Sequence, residues 1–422
     1  MAMGKIIFLL TNILVFFSCG SQSEKVKNDT HKRKSEINVV LGNYEVLQSK
    51  NRQKAKETLI VVIDPHGDGK LAVSEFKKMT ENFDCTIIGL NDVENNIPDF
   101  EEKIKNDINS VKSNLDLKIK HLFIAGFSGG ARMAFQYALS NSAAGVLMCG
   151  AGINMKNIES LKFPSAMIIG THDFNFIEQY YSPYSEVVTN NKVLTLLFEG
   201  THEWPPEDNI LTAMIFLFQK NGINSGKQIS DYKIQADDCL NNKEYFKAFK
   251  SYEAYYKMCN DEEKKSAETA LNNLLNNLSF KSFIKQYQAS LQKEIDRNNK
   301  YIQLLNKNDL SFWHDEVLKI NHLKKSENAL EAASYARTKA YLGIAMYSFV
   351  NREITNPWSK TVDKYLKIYE MLEPENSDLW FFKSVREKQK NNSALSEKYL
   401  KRAFAFGFKD SIKAKKYGLI NE

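Results

Sequence analysis

Between residues 37 and 222, short runs rich in Val, Ile and Leu alternate with amphipathic stretches, and past that segment the runs stop. They read INVVL, YEVLQ, TLIVVID, CTIIGL, HLFIAGF, GVLMCGAG, SAMIIG and VLTLLFEG. Several carry almost no polar residue, the pattern of strands covered on both faces. Strand alternating with helix predicts an α/β architecture with a doubly wound, mostly parallel sheet. Its last amphipathic stretch, DNILTAMIFLFQKNG, ends in Asn-Gly, a helix stop. Residues 223–230, within GINSGKQIS, predict a linker. From 231 to 422 only helical spacing remains, with Tyr245, Ala248, Tyr252 and Tyr255 on one stripe of a predicted helix. A length of 422 residues suits two or three domains of ordinary size.

The N-terminus follows another pattern. Lys5 precedes the apolar run IIFLLTNILVFF, too short to span a bilayer and right for the core of a secretory signal over residues 1–18. Ser18-Cys19-Gly20 then resembles the cleavage site of bacterial lipoproteins, which implies a lipidated Cys19. The polar tract from 19 to 36 reads as a flexible tether. The expected location is therefore the bacterial cell envelope, with the lipid as the membrane contact. Net charge is +6, yet Lys and Glu alternate along most of the chain, and no basic patch interleaved with aromatics predicts nucleic-acid binding. Cys85 and Cys149 fall in apolar runs and are expected as buried thiols. Cys239 and Cys259 lie on consecutive predicted helices, where spacing alone does not decide whether they pair. No Cys/His cluster predicts a metal, and no cofactor is expected.

Residues 126–130 read Gly-Phe-Ser-Gly-Gly, a G-x-S-x-G placed where the strand HLFIAGF meets the helix GARMAFQYALS. That setting predicts a nucleophile elbow: a turn so tight that only glycines fit around Ser128, with the following helix aiming its N-terminal amides at the hydroxyl. A serine needs a positioned base, and the base an acid to orient it. Asp173 follows the strand SAMIIG, and His202 follows VLTLLFEG. Three strand ends thus supply Ser128, Asp173 and His202, at the edge where open α/β sheets form their crevice. His172 and Trp204 are expected to line the site, as is Phe127. Glu178 is a weaker alternative acid, because it lies well past the strand end.

The strand TLIVVID runs into Pro65-His66-Gly67-Asp68-Gly69, a turn able to present a backbone N–H to an oxyanion alongside that of Gly129. Asp68 is the expected first donor and Gly67 the alternative, with His66 beside them. A carboxylate so near developing negative charge has to point its side chain away.

Together, Pro65-His66-Gly67, Gly126 to Gly130, Asp173 and Gly200-Thr201-His202 with Trp204-Pro205 resemble the α/β-hydrolases of the dienelactone-hydrolase and polyhydroxybutyrate-depolymerase-like esterase group. The resemblance covers residues 37–222. It implies Ser128 as nucleophile, His202 as base then acid, Asp173 as its orienting partner, and an ester-bearing small molecule or polymer as substrate. A serine peptidase would use the same residues. The helical half loosely resembles tetratricopeptide helix pairs at Ala236, Ala248, Gly343, Pro374, Trp380 and Ala403, which implies a surface for a protein partner. A different expectation follows from that half: a binding lipoprotein whose α/β domain is a non-catalytic scaffold.

Overall fold

The computed structural model describes residues 43–152, 161–179, 191–223 and 230–420. The apolar leader, Cys19, the tether and the run INVVL lie outside the described residues, as does most of GINSGKQIS. The other predicted runs are all strands: β1 Tyr44–Gln48, β2 Thr58–Ile63, β3 Thr86–Leu90, β4 His121–Phe127, β5 Gly145–Cys149, β6 Ser165–Gly170 and β7 Val193–Phe198. They form one sheet in the order β1-β3-β2-β4-β5-β6-β7. Only β1 runs antiparallel, against β3; every other pairing is parallel.

Alternation along each strand feeds two apolar layers. Ile60 and Val62 of β2, with Leu147 of β5 and Leu194 of β7, pack on one face under α1 (Gly69–Glu75), α2 (Lys77–Asn82) and the later α6 (Glu207–Gln219). Leu59, Val61 and Ile63, with Val146 and Met167, pack on the other under α3 (Phe100–Asn114) and α4 (Gly129–Ser140). Burial on both faces is why these runs read as continuous apolar sequence. A single turn, α5 (Phe176–Gln179), follows β6.

Helices after the predicted linker join this first body, which extends to Leu291. They are α7 (Ser230–Asn241), α8 (Tyr245–Met258), α9 (Asp261–Asn276) and the opening of α10 (Leu278–Leu304). Ala254, Tyr255 and Met258 of α8 and Ala267 of α9 belong to the same apolar layer as β7 and α6. Lys257 of α8 is buried and donates to the Val193 carbonyl at 2.6 Å and to Glu253 at 2.6 Å. The packing division therefore lies at 291/292, past the composition shift at 223–230.

The second body, from Gln292 onward, is all helix among its described residues. It holds the rest of α10 with α11 (Leu310–Leu323), α12 (Ala329–Glu353), α13 (Thr361–Leu372), α14 (Ser377–Gln389), α15 (Ser393–Ala405) and α16 (Ser411–Lys416). Pro374 lies in the break between α13 and α14, and its carbonyl accepts the Trp380 indole N–H at 2.8 Å. Arg337 grips the buried Glu294 at 2.6 Å. No helix among the described residues is long and apolar enough to cross a membrane. Cys85 and Cys149 are buried and their thiols are pushed upward in pKa by that burial. Cys239 and Cys259 are both free thiols.

Candidate active site

β4 passes into α4 through Ser128, whose backbone sits at φ 51° and ψ −116°, a conformation L residues rarely adopt. Glycine on either side is a steric requirement. A Cβ on Gly126 would lie 2.5 Å from the Gly130 carbonyl carbon, and one on Gly130 would lie 2.2 Å from the Ile63 carbonyl oxygen. The Ser128 N–H donates to the Cys149 carbonyl at 2.8 Å, pinning the turn to β5. The Gly129 N–H is the first of α4, a position with no carbonyl partner within the helix.

Ser128 Oγ lies 2.9 Å from Nε2 of His202, and Nδ1 of His202 lies 2.9 Å from Oδ2 of Asp173. A carboxylate only accepts, so the imidazole proton sits on Nδ1 and Nε2 offers its lone pair to the hydroxyl. Asp173 is 1% exposed, and burial pushes its pKa above the ordinary carboxylate range against the pull of His202. Its Oδ1 accepts the Asn175 N–H at 2.8 Å, and the Asn175 carboxamide donates to the Gly150 carbonyl at 2.8 Å. The rings of Phe127 and Phe174 lie 4.8 and 4.3 Å from the imidazole and shield it from water. The two loops are also tied by backbone: the His172 N–H donates to Gly200 O at 2.9 Å.

Glu178 faces elsewhere. Its two oxygens hold Arg132 of α4 at 3.0 and 3.1 Å, and one also accepts the Gly152 N–H at 3.2 Å. His172 turns its Nδ1 toward Thr171 Oγ1 at 3.2 Å and Glu199 at 3.4 Å.

At the turn after β2, the Asp68 carboxylate accepts the Leu71 N–H at 2.9 Å and caps α1, so it points out of the crevice. The Gly67 N–H is taken by the Asp64 carbonyl at 3.1 Å, and the His66 N–H by Asp64 Oδ1 at 2.9 Å. With both amides engaged, the next N–H along the turn is that of Asp68. Gly67 has φ 70°, and a Cβ there would lie 2.8 Å from the Asn91 carbonyl oxygen. Asn95 donates its N–H to Pro65 O at 2.9 Å, and its carboxamide oxygen would be 1.8 Å from a Cβ on Gly129. The Asn91–Asn95 loop thus stands against both the turn and the elbow. Trp204 donates its indole N–H to Asp64 Oδ2 at 3.2 Å and lies 5.2 Å from Phe127, ring to ring. Asp64, Asn95 and Asn175 are polar residues of this site that no sequence motif marks. Among the described residues, no group of three or more His, Cys, Asp or Glu side chains converges as for a metal ion.

A mostly parallel sheet, a strained serine between its fourth strand and the next helix, and an acid and histidine following in that order define an α/β-hydrolase fold, with helices appended. No protein-family model matches the chain, and no curated protein does. Among solved structures it is similar to the esterase PE8, at 15% identity and TM-score 0.32 over 41% of this chain and 96% of that one. An α/β serine hydrolase homologue from Coxiella burnetii shows 17% identity and TM-score 0.30 over 41% and 91%. A lidless α/β serine hydrolase from Xanthomonas campestris shows 12% identity and TM-score 0.32 over 46% and 97%.

Proposed function

We propose that the protein is a serine hydrolase that cleaves carboxylic esters through an acyl-enzyme. The observation that carries this reading is the unbroken chain Asp173–His202–Ser128, with 2.9 Å at each link. Ser128 Oγ attacks the ester carbonyl as His202 Nε2 takes its proton. Asp173 holds the Nδ1 proton and stabilises the imidazolium. The amides of Gly129 and Asp68 face the carbonyl oxygen as it gains charge. His202 returns the proton to the leaving alcohol, and the acyl group stays on Ser128. Water then enters, gives a proton to His202 and attacks the acyl carbonyl; collapse releases the acid and restores the serine.

The aromatic walls at Phe127, Phe174 and Trp204 favour an apolar acyl or alcohol group beside the base. The leader before Cys19 supports export and lipid attachment at that cysteine, with the enzyme working at the cell envelope.

Hydrolysis of p-nitrophenyl butyrate by the wild type, Ser128→Ala and His202→Ala tests the chemistry. Turnover by the wild type that falls by about 10⁴-fold or more in either variant is expected. Equal rates in all three proteins would remove the ester-hydrolase reading. Radiolabelled palmitate incorporation in cells, present in the wild type and lost in Cys19→Ala, tests the anchor.

A further inference from the structure

Asp64 is a carboxylate at the end of β2, 2% exposed, whose role the triad leaves unexplained. Burying an acid there is costly unless its oxygens are satisfied. They are satisfied in a particular way. Oδ1 accepts the His66 N–H at 2.9 Å, Oδ2 accepts the Trp204 indole N–H at 3.2 Å, and the backbone carbonyl accepts the Gly67 N–H at 3.1 Å. One side of the residue shapes the turn that carries Asp68. The other side holds Trp204, two residues past His202 and 140 past Asp64. Trp204 in turn lies 5.2 Å from Phe127, which lies 4.8 Å from the His202 ring.

We propose that Asp64 is a positioning residue that locks the oxyanion turn and the His202 loop into one geometry; the proposal rests on the hydrolase reading above. Both of its partners are donors that cannot accept: a backbone amide and an indole N–H. Only a group with two acceptors serves both at once. Asparagine has the same shape but one acceptor, so it must release either the turn or the loop. Burial pushes the Asp64 carboxyl upward, and the His66 amide and Trp204 pull it back. Asp68 lies near enough to add repulsion, but its own carboxylate is occupied at Leu71.

The test uses the full-length protein and the variants Asp64→Asn, Trp204→Phe and the pair together. With p-nitrophenyl butyrate, Asp64→Asn is expected to lower kcat by about 10- to 100-fold with KM within about threefold, because misplaced donors cost the transition state rather than binding. Affinity for phenylboronic acid, which forms a tetrahedral adduct on serine, is expected to weaken in parallel. Trp204→Phe removes the indole N–H and is expected to give a smaller loss. The double variant is expected to fall short of the product of the two single effects.

A second readout does not depend on turnover. In protein labelled with 15N-tryptophan, the indole cross-peak absent from Trp204→Phe is expected to move in Asp64→Asn. An unchanged kcat, a change in KM alone, or a stationary Trp204 cross-peak overturns the proposal. A wild type that hydrolyses no ester overturns the hydrolase reading instead, while the cross-peak still decides whether Asp64 holds Trp204. Should Asp64→Asn not fold, the kcat and boronate affinity of Trp204→Phe decide, and unchanged values reject the link.

Discussion

A Cβ on Gly130 would stand 2.2 Å from the carbonyl oxygen of Ile63, so the start of α4 crosses the end of β2 with no room for a side chain. The obstacle is backbone, which cannot rotate aside as a flexible side chain would. Gly130→Ala is therefore expected to lose at least about 2 kcal/mol of stability, at the upper end of small-to-large costs. Urea unfolding followed by circular dichroism measures it. A variant as stable as the wild type would contradict the close crossing on which the elbow depends.

Ser128 holds its hydroxyl at the cost of a strained backbone, φ 51° and ψ −116°. Such conformations cost about 1–3 kcal/mol for a residue with a Cβ. Ser128→Gly relieves that strain, less the greater chain entropy of glycine, and is expected to gain about 1 kcal/mol. Ser128→Ala keeps the Cβ and is expected to gain nothing comparable. Both are expected to lose activity, so paired melts of the two variants isolate the strain from the chemistry.

Asp107 on α3 is buried, and burial first, then the charge of Asp92, push its carboxyl up to about 7. Asp92 also meets Lys103 at 3.1 Å and Asn43 at 3.3 Å, so the second carboxylate is the one already supplied with donors. Because Asp107 is raised, the folded protein binds a proton that the unfolded chain releases near pH 4. Stability contributed by this group is then full below pH 4 and is lost as pH rises toward about 7. Asp107→Asn imitates the protonated acid. It is expected to match the wild type near pH 4 and to exceed it at pH 8, in denaturation series across that range. Parallel curves for the two proteins would contradict the assignment.

Helix α8 is held to the edge of the sheet by charge as well as by apolar packing. Glu253 is fully buried between Lys250 and Lys257, and Lys257 also reaches the Val193 carbonyl at 2.6 Å. Removing the acid takes the Glu253 carboxylate from two buried lysines, and breaking such a buried pair costs about 3–5 kcal/mol. Glu253→Gln is expected to unfold at correspondingly lower denaturant. A chain cut after residue 222 loses Ala254, Tyr255 and Met258 from the same layer and is expected to be insoluble, whereas one retaining residues to 291 keeps them. A soluble, cooperatively folding 43–222 fragment would contradict this.

Most of the sheet was legible because each buried strand leaves a run of Val, Ile and Leu in the sequence. Ser128, Asp173 and His202, which the fold brings within hydrogen-bond distance, were legible because each lies within three residues of the end of such a run. The Asp68 side chain could be anticipated only as having to face away; the cap it forms on α1 supplies the reason. Asp64, by contrast, closes the run TLIVVID without any sign of Trp204, its partner 140 residues on. Asn95 and Asn175 lie in loops whose function is set by what folds against them, and no local pattern records that. The segment after 222 changes composition as a linker does, yet the stripe on α8 says only that one face is buried. It does not say that the face lies against β7 and α6.

Covalent labelling reads out whether Ser128 is an activated nucleophile. The wild-type protein is incubated with a fluorophosphonate, with Ser128→Ala and His202→Ala in parallel, and intact mass and tryptic peptides are recorded. One adduct per wild-type chain, carried on Ser128, absent from Ser128→Ala and formed far more slowly in His202→Ala, is the predicted result. No adduct on the folded wild type, or an adduct on Ser128→Ala equal to that on the wild type, would contradict the account.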